Sequence, residues 1–141
     1  MSKLEQSLTA WAPRILSVLR IVAALLYMQH GLQKLINFPE ATRPMGGPDG
    51  SLPPLMLIGG ILEAGGGGLF LLGLFTRPVA FILCGMMAVA YFMAHAPRGF
   101  FPINNGGDLA VLFCFVYLYF VFAGAGSWGL DAMLARKKSA V

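Results

Sequence analysis

Residues 55–75 read LMLIGGILEAGGGGLFLLGLF, a run in which Glu63 is the sole ionisable residue. At a rise of about 1.5 Å per residue, a stretch of this length crosses a hydrocarbon core of about 30 Å as an α-helix. It lacks the period-two alternation of a membrane β-strand and is about twice such a strand's length. The rest of the chain has the same character: 57% hydrophobic, 11% charged, mean hydropathy +0.74. A soluble domain carries about a quarter of its residues as Asp, Glu, Lys and Arg, so little of this surface is meant for water. The solvent of the fold is lipid.

Three further runs match the first in length and polarity, from Ile15 to Ile36, from Val79 to Ala96 and from Leu109 to Ala125. Between them lie the residues that stop helices. Phe38 to Pro54 holds five of the nine prolines and three glycines, Thr76-Arg77-Pro78 makes a tight connection with Pro78 suited to a first helical turn, and Pro97 to Gly107 forms the last loop. The sequence therefore predicts an all-α, polytopic membrane protein, a bundle of four transmembrane helices in one domain over residues 1–141. Lys3, Arg14, Arg77, Arg136, Lys137 and Lys138 flank one side, while Arg43 and Arg98, with Lys34 at the border, flank the other. By the excess of basic residues on the cytoplasmic side, both termini are expected to face the cytoplasm. No removed leader is expected, since the amino-terminal residues lack the basic, apolar and small-residue succession of one.

The net charge of +4 and pI near 9.4 do not imply nucleic acid, because the ten basic residues are dispersed around apolar runs. Cys84 and Cys114 stand in different runs without metal-ligand spacing and read as small buried hydrophobes. On the second helix Gly59, Glu63, Gly66 and Gly73 form one stripe, and Gly60, Ala64 and Gly68 another. Small residues let backbones approach where lipid tails provide no hydrophobic drive, so two stripes predict two close neighbours.

Ionisable residues inside the spans carry the functional signal, because such groups turn to the bundle interior and find partners. They are Arg20, His30, Lys34, Glu63, His95 and Asp108. Arg20, Tyr27 and Lys34 fall within about 40° of one another at helical spacing, with His30 about 60° aside, so one face of the first helix is polar throughout. Arg20 can also be read as snorkelling to the cytoplasmic interface and Lys34 as an anchor at the outer one. Glu63, about 12 Å below the outer end of its helix, is too deep to snorkel. It must be protonated or paired, and His30 matches it best in level; a structural hydrogen bond and a working role both fit. His95 and Asp108 close the outer ends of the third and fourth helices, and Asn105 and Asp108 have the spacing of a helix cap. Together these residues predict a polar pocket opening outward. Phe115, Tyr119 and Phe122, on the stripe of Asp108, and Phe70 would continue it inward as core or as the wall for a flat ring with a polar head, such as a quinone. No HxxxH or ExxH spacing supports a metal, and no nucleotide fingerprint or nucleophile triad is present.

In order and spacing, Leu19-Arg20, Gln29-His30-Gly31-Leu32-Gln33-Lys34, Gly60 to Glu63 with its glycine run, Gly73-Leu74-Phe75-Thr76-Arg77, His95, Asn105-Gly106-Gly107-Asp108 and Gly124 to Asp131 resemble the DoxX family of small bacterial inner-membrane proteins. The resemblance implies a four-helix membrane domain related to the small subunits of membrane thiosulfate:quinone oxidoreductases, whose relatives serve as membrane partners of soluble redox enzymes or as assembly factors. Its recurring polar positions fall on Arg20, His30, Lys34, Glu63, Arg77, His95, Asn105 and Asp108. The family commonly has Glu after Asn-Gly-Gly; Asp108 is one methylene shorter. Three functions stay open. One is a quinone- or redox-associated membrane component that receives electrons from a soluble partner, since the chain has no flavin, haem or cluster motif of its own. The second is a non-enzymatic anchor or assembly protein, and the third a small proton-coupled transporter, for which four spans would require a homo-oligomer.

Overall fold

The computed structural model describes residues 2–42, 45–47 and 49–139; Arg43, counted above toward orientation, lies outside them. Every regular element among the described residues is helical: α1 (Lys3–Ile36), α2 (Pro54–Leu72), α3 (Thr76–Arg98), α4 (Pro102–Asn105), α5 (Asp108–Ala123) and α6 (Leu130–Ser139). Of these, α1, α2 and α3 are long and apolar enough to cross a membrane, and α5 is apolar but shorter, at 16 residues.

Helix α1 begins well before its apolar run because Ser2 and Glu5 cap it reciprocally. The Ser2 hydroxyl accepts from the Glu5 amide at 3.2 Å, and the Ser2 amide donates to the Glu5 carboxylate at 2.6 Å. Helix α2 stops at Gly73 rather than Phe75. Gly73 has φ +64°, and a Cβ there would lie 2.7 Å from Gly129 Cα and 2.9 Å from Arg20 Cζ, so both backbone and space require glycine. Helix α3 starts at Thr76 rather than Val79, since the Asp131 carboxylate accepts from the amides of Phe75 (2.9 Å) and Thr76 (2.8 Å) and caps the helix from across the chain.

Helix α2 packs along α1, and α5 along α3. The backbones of the first pair approach closely at Gly31, where a Cβ would meet Ala64 N at 2.4 Å and Gly60 O at 2.7 Å. The glycines of α2 do face two neighbours: Gly60 and Gly67 face α1, and Gly59 and Gly66 face α3, while Gly68, expected in the first set, faces open space. Between the two helix pairs lies an aromatic core of Tyr27, Phe70, Phe113, Tyr117 and Phe120, with ring centroids 4.9–5.4 Å apart along the chain of contacts from Phe113 through Tyr27, Tyr117 and Phe70 to Phe120.

This core corrects the expected inward stripe of α5. Phe115, Tyr119 and Phe122 are 63%, 58% and 74% exposed, and the buried face is the one turned by Phe113, Tyr117 and Phe120. Asp108, on the same stripe, is itself exposed. A helix apolar all round has no sided pattern from which to choose an inward face. The exterior is apolar, with Leu26, Phe81, Val89 and Phe92 exposed, whereas Arg20, Ser17, Glu63 and Thr76 are buried. This inverted distribution suits a lipid solvent.

Arg20 neither snorkels nor lines an outward pocket. It is 1% exposed, and its guanidinium donates to Ala125 O (2.9 Å), Phe70 O (2.6 Å), Leu71 O and Trp128 O (3.3 Å). It thereby closes the carbonyl end of α2 and fastens the segment between α5 and α6 to α1. Arg77 treats α5 in the same way, donating to Val121 O (2.9 Å) and Phe122 O (2.7 Å). The end of the molecule at which α2 turns into α3 is therefore tied by two arginines and Asp131.

Candidate functional site

At the opposite end, beside Gly106 of the 99–107 loop, a cavity of about 370 Å³ lies between α1, α2, α3 and α5. Tyr27, His30, Lys34, Glu63 and His95 line it together with apolar Met87, Leu109 and Phe113. Glu63 is 4% exposed, and Lys34 Nζ donates to both of its carboxylate oxygens, at 2.6 and 2.7 Å. The partner expected from depth was His30; the structure instead pairs Glu63 with Lys34. A Cβ on Gly60 would lie 3.3 Å from Lys34 Cβ, so the lysine backbone sits level with Gly60 and its long side chain reaches inward to the next turn of α2. Of the two readings of Lys34, outer anchor and pocket residue, its side chain takes the second.

Two helices widen where they meet this cavity. In α2 the turn Leu62–Gly66 and in α3 the turn Tyr91–His95 have π geometry, and they carry Glu63 and His95. A π turn adds one residue to the helical circuit and re-aims the side chains on it, and such turns recur at functional sites. The His95 ring lies parallel to Tyr91, 18° apart in plane and 6.3 Å between centroids. Its Nδ1 is 3.2 Å from Asn105 O. A carbonyl oxygen only accepts, so Nδ1 carries a hydrogen and donates it there. His30, exposed at the rim, has no hydrogen-bond partner among the described residues.

The remaining candidates lie around or away from the cavity. Tyr27 is 1% exposed and its hydroxyl donates to Met86 Sδ at 3.2 Å. Asn105 does not pair with Asp108 as a helix cap. Its side-chain oxygen accepts from Gly107 N (2.8 Å) and its Nδ2 donates to Gly99 O (2.8 Å) and Tyr91 Oη (3.3 Å), which ties the 99–107 loop to α3 over the cavity. Helix α5 is left with Gly107 before its first residue and no side-chain cap, with Asp108 exposed beside the first-turn amides. Tyr119 belongs to a different hollow beside the turn from α2 to α3, about 780 Å³, shared with Arg77, Thr76 and Asp131. The cysteines do meet: Cys84 Sγ of α3 and Cys114 Sγ of α5 are 3.7 Å apart, both half-buried. Among the described residues no three His, Cys, Asp or Glu side chains converge as a metal would require.

A family model described as DoxX matches residues 15–96, from the apolar part of α1 through the wide turn of α3. The chain belongs to the DoxX family. The DoxX match contains Tyr27, His30, Lys34, Glu63 and His95, all the ionisable groups of the cavity. Similarity extends further along the chain. An uncharacterized protein of Haemophilus influenzae is 45% identical over 135 residues, covering 93% of this chain and 98% of its own. An uncharacterized membrane protein of Mycobacterium tuberculosis is 26% identical over 148 residues, covering 94% of this chain and 89% of its own. No solved structure matches. The protein is thus a DoxX membrane protein with several apolar helices, and its relatives share nearly the full chain with it.

Proposed function

We propose that this DoxX protein binds a quinone, or a similar flat molecule with polar oxygens, in the cavity between α1, α2, α3 and α5, as the membrane component of a redox system. The observation that carries the reading is the Lys34–Glu63 pair at the wall of an aromatic-lined cavity that His30 and His95 also border. Tyr27 and Phe113 supply apolar ring faces, and Lys34 supplies N–H donors for a carbonyl oxygen. Reduction of a quinone to a quinol consumes two electrons and two protons. The histidines could exchange those protons at the rim, and the electrons must come from a soluble partner protein, since the chain has no redox-group motif of its own.

The same reading places the protein in a bacterial inner membrane with four spans. Helix α5 would be the fourth, completed by the residues that flank it, and both termini would face the cytoplasm beside Lys3, Arg14, Arg77, Arg136, Lys137 and Lys138. The cavity then opens on the other side.

Purified protein titrated with quinone headgroup analogues, followed by quenching of Trp and Tyr fluorescence, tests the proposal. Saturable binding that His30→Ala or Glu63→Gln weakens by about tenfold, equivalent to about 1.4 kcal/mol, supports it. Absence of saturable binding by any analogue refutes it.

A further inference from the structure

We infer that the cleft between the loop-end halves of α2 and α3 is a side port through which a hydrocarbon tail runs from the polar cavity into the bilayer, so that the ligand is a quinone bearing a long isoprenoid or alkyl chain. The inference rests on the reading of the cavity as a quinone site and adds the class of quinone and its route.

A second hollow of about 450 Å³ lies against the first and shares Lys34, Glu63, Ala90 and Ala94 with it. Its other walls are hydrocarbon, among them Leu55, Ile58, Leu62, Ile82 and Val89. The packing explains why it is open. Helices α2 and α3 are joined by the short turn at Gly73–Phe75, but toward the loop end Pro54–Ile61 leans on α1 and α3 leans on α5. Besides Lys34 and Glu63, the residues at the junction of the two hollows are the small Ala90 and Ala94. A Cβ on Gly59 would lie 3.5 Å from Met86 Cε and 4.0 Å from Lys34 Nζ, so glycine there keeps the passage between lysine and methionine clear.

The charge at the junction argues for a particular occupant. Lys34 has three N–H groups; two go to Glu63, and the third has no acceptor among the described residues. The Lys34 side chain is 20% exposed, and plain acyl chain against it would leave an ammonium donor facing oil. A headgroup carbonyl in the polar hollow satisfies that donor while an attached tail fills the apolar one. One amphiphile with a hydrogen-bond-accepting head and a long apolar chain thus meets the demands of both hollows.

The test compares a tail-less quinone analogue with the same headgroup on a decyl or longer chain, each titrated against wild type, Ile58→Trp and Val89→Trp in lipid nanodiscs. Ile58→Trp and Val89→Trp obstruct the cleft from the α2 and α3 walls at residues that do not line the polar hollow, so failure of one variant to fold leaves the other. The expected result is that wild type binds the tailed analogue at least tenfold more tightly than the tail-less one. Either variant should abolish that difference and leave tail-less binding within twofold of wild type. If the tailed analogue binds both variants as it binds wild type, the port is overturned, the cleft faces ordinary bilayer lipid, and the cavity reading survives on its tail-less binding. If neither analogue binds wild type, the quinone reading falls and the port with it.

Discussion

Lys34 Nζ lies between the two carboxylate oxygens of Glu63, 2.6 and 2.7 Å away, and so joins the last turn of α1 to the wide turn of α2. The pair is mutual protection: each charge is tolerable at that depth because of the other.

Removing one partner should therefore cost more than removing both. Lys34→Met or Glu63→Leu alone is expected to lower stability by about 2 kcal/mol, at the lower end for a buried pair because Lys34 is partly exposed. The double variant should recover about 1 kcal/mol or more of the summed loss. Thermal unfolding of the four proteins in one detergent measures this, and strictly additive losses would show that the pair is energetically idle.

Gly31 and Gly68 should respond in opposite directions. At Gly31 a methyl group would strike the backbone of α2 at Ala64 N and Gly60 O, which forces the helices apart. Gly31→Ala is expected to destabilise by about 1–3 kcal/mol and to weaken any cavity binding. Gly68→Ala, with nothing within 4 Å of its added Cβ, should be neutral or gain about 0.5–1 kcal/mol from helix propensity. Equal behaviour of the two variants in thermal denaturation would contradict the close approach.

Arg20 holds four carbonyl oxygens of two separate chain segments. Arg20→Met leaves them unpaired and should cost about 3 kcal/mol or more. Arg20→Lys should rescue little, because an ammonium cannot present the planar fork of donors that reaches them together. Limited proteolysis at residues 124–129 should accelerate in both variants, and unchanged protection there would remove the clamp from the account.

Cys84 and Cys114 should cross-link within the chain. With the sulfurs 3.7 Å apart, copper–phenanthroline oxidation is expected to join α3 to α5, the two thiol hydrogens and electrons passing to the oxidant. Cleavage in the 99–107 loop would then fail to separate the fragments on a non-reducing gel, and fragments that separate freely would contradict the α3–α5 register.

Much of this architecture is legible in the residues themselves. The apolar runs locate α1, α2, α3 and α5 to within a turn at most of their ends, because length and absence of charge decide a crossing helix. The exceptions have specific causes. The amino-terminal extension of α1 is made by the Ser2–Glu5 cap and polar residues that a hydropathy reading passes over. Helix α6 is short and carries Arg136, Lys137 and Lys138, so it has no apolar signature. At the site, His30, Lys34, Glu63, His95 and Tyr27 are brought to one cavity, and each was visible as a polar group in an apolar helix. What sequence could not supply was rotation and reach. Helix α5 has no polar face to orient it, which put Tyr119 on the wrong wall, and the inward extension of Lys34 depends on how deep Gly60 lets the two backbones settle. Arg20 showed its burial through its apolar neighbours, but its partners are backbone oxygens, and every residue has one.

The guanidinium clamp also sets an order of events during synthesis. The oxygens that satisfy Arg20 belong to residues 50, 51, 105 and 108 positions downstream. A ribosome delivering the chain from its amino end hands over the first helix long before Trp128 has been made, and until then the cation must be kept wet at the margin of the bilayer. The stretch from Ala125 to Trp128 is therefore a late-made lid over a much earlier helix, and nascent chains halted short of residue 128 should be held by the insertion machinery or degraded as incomplete.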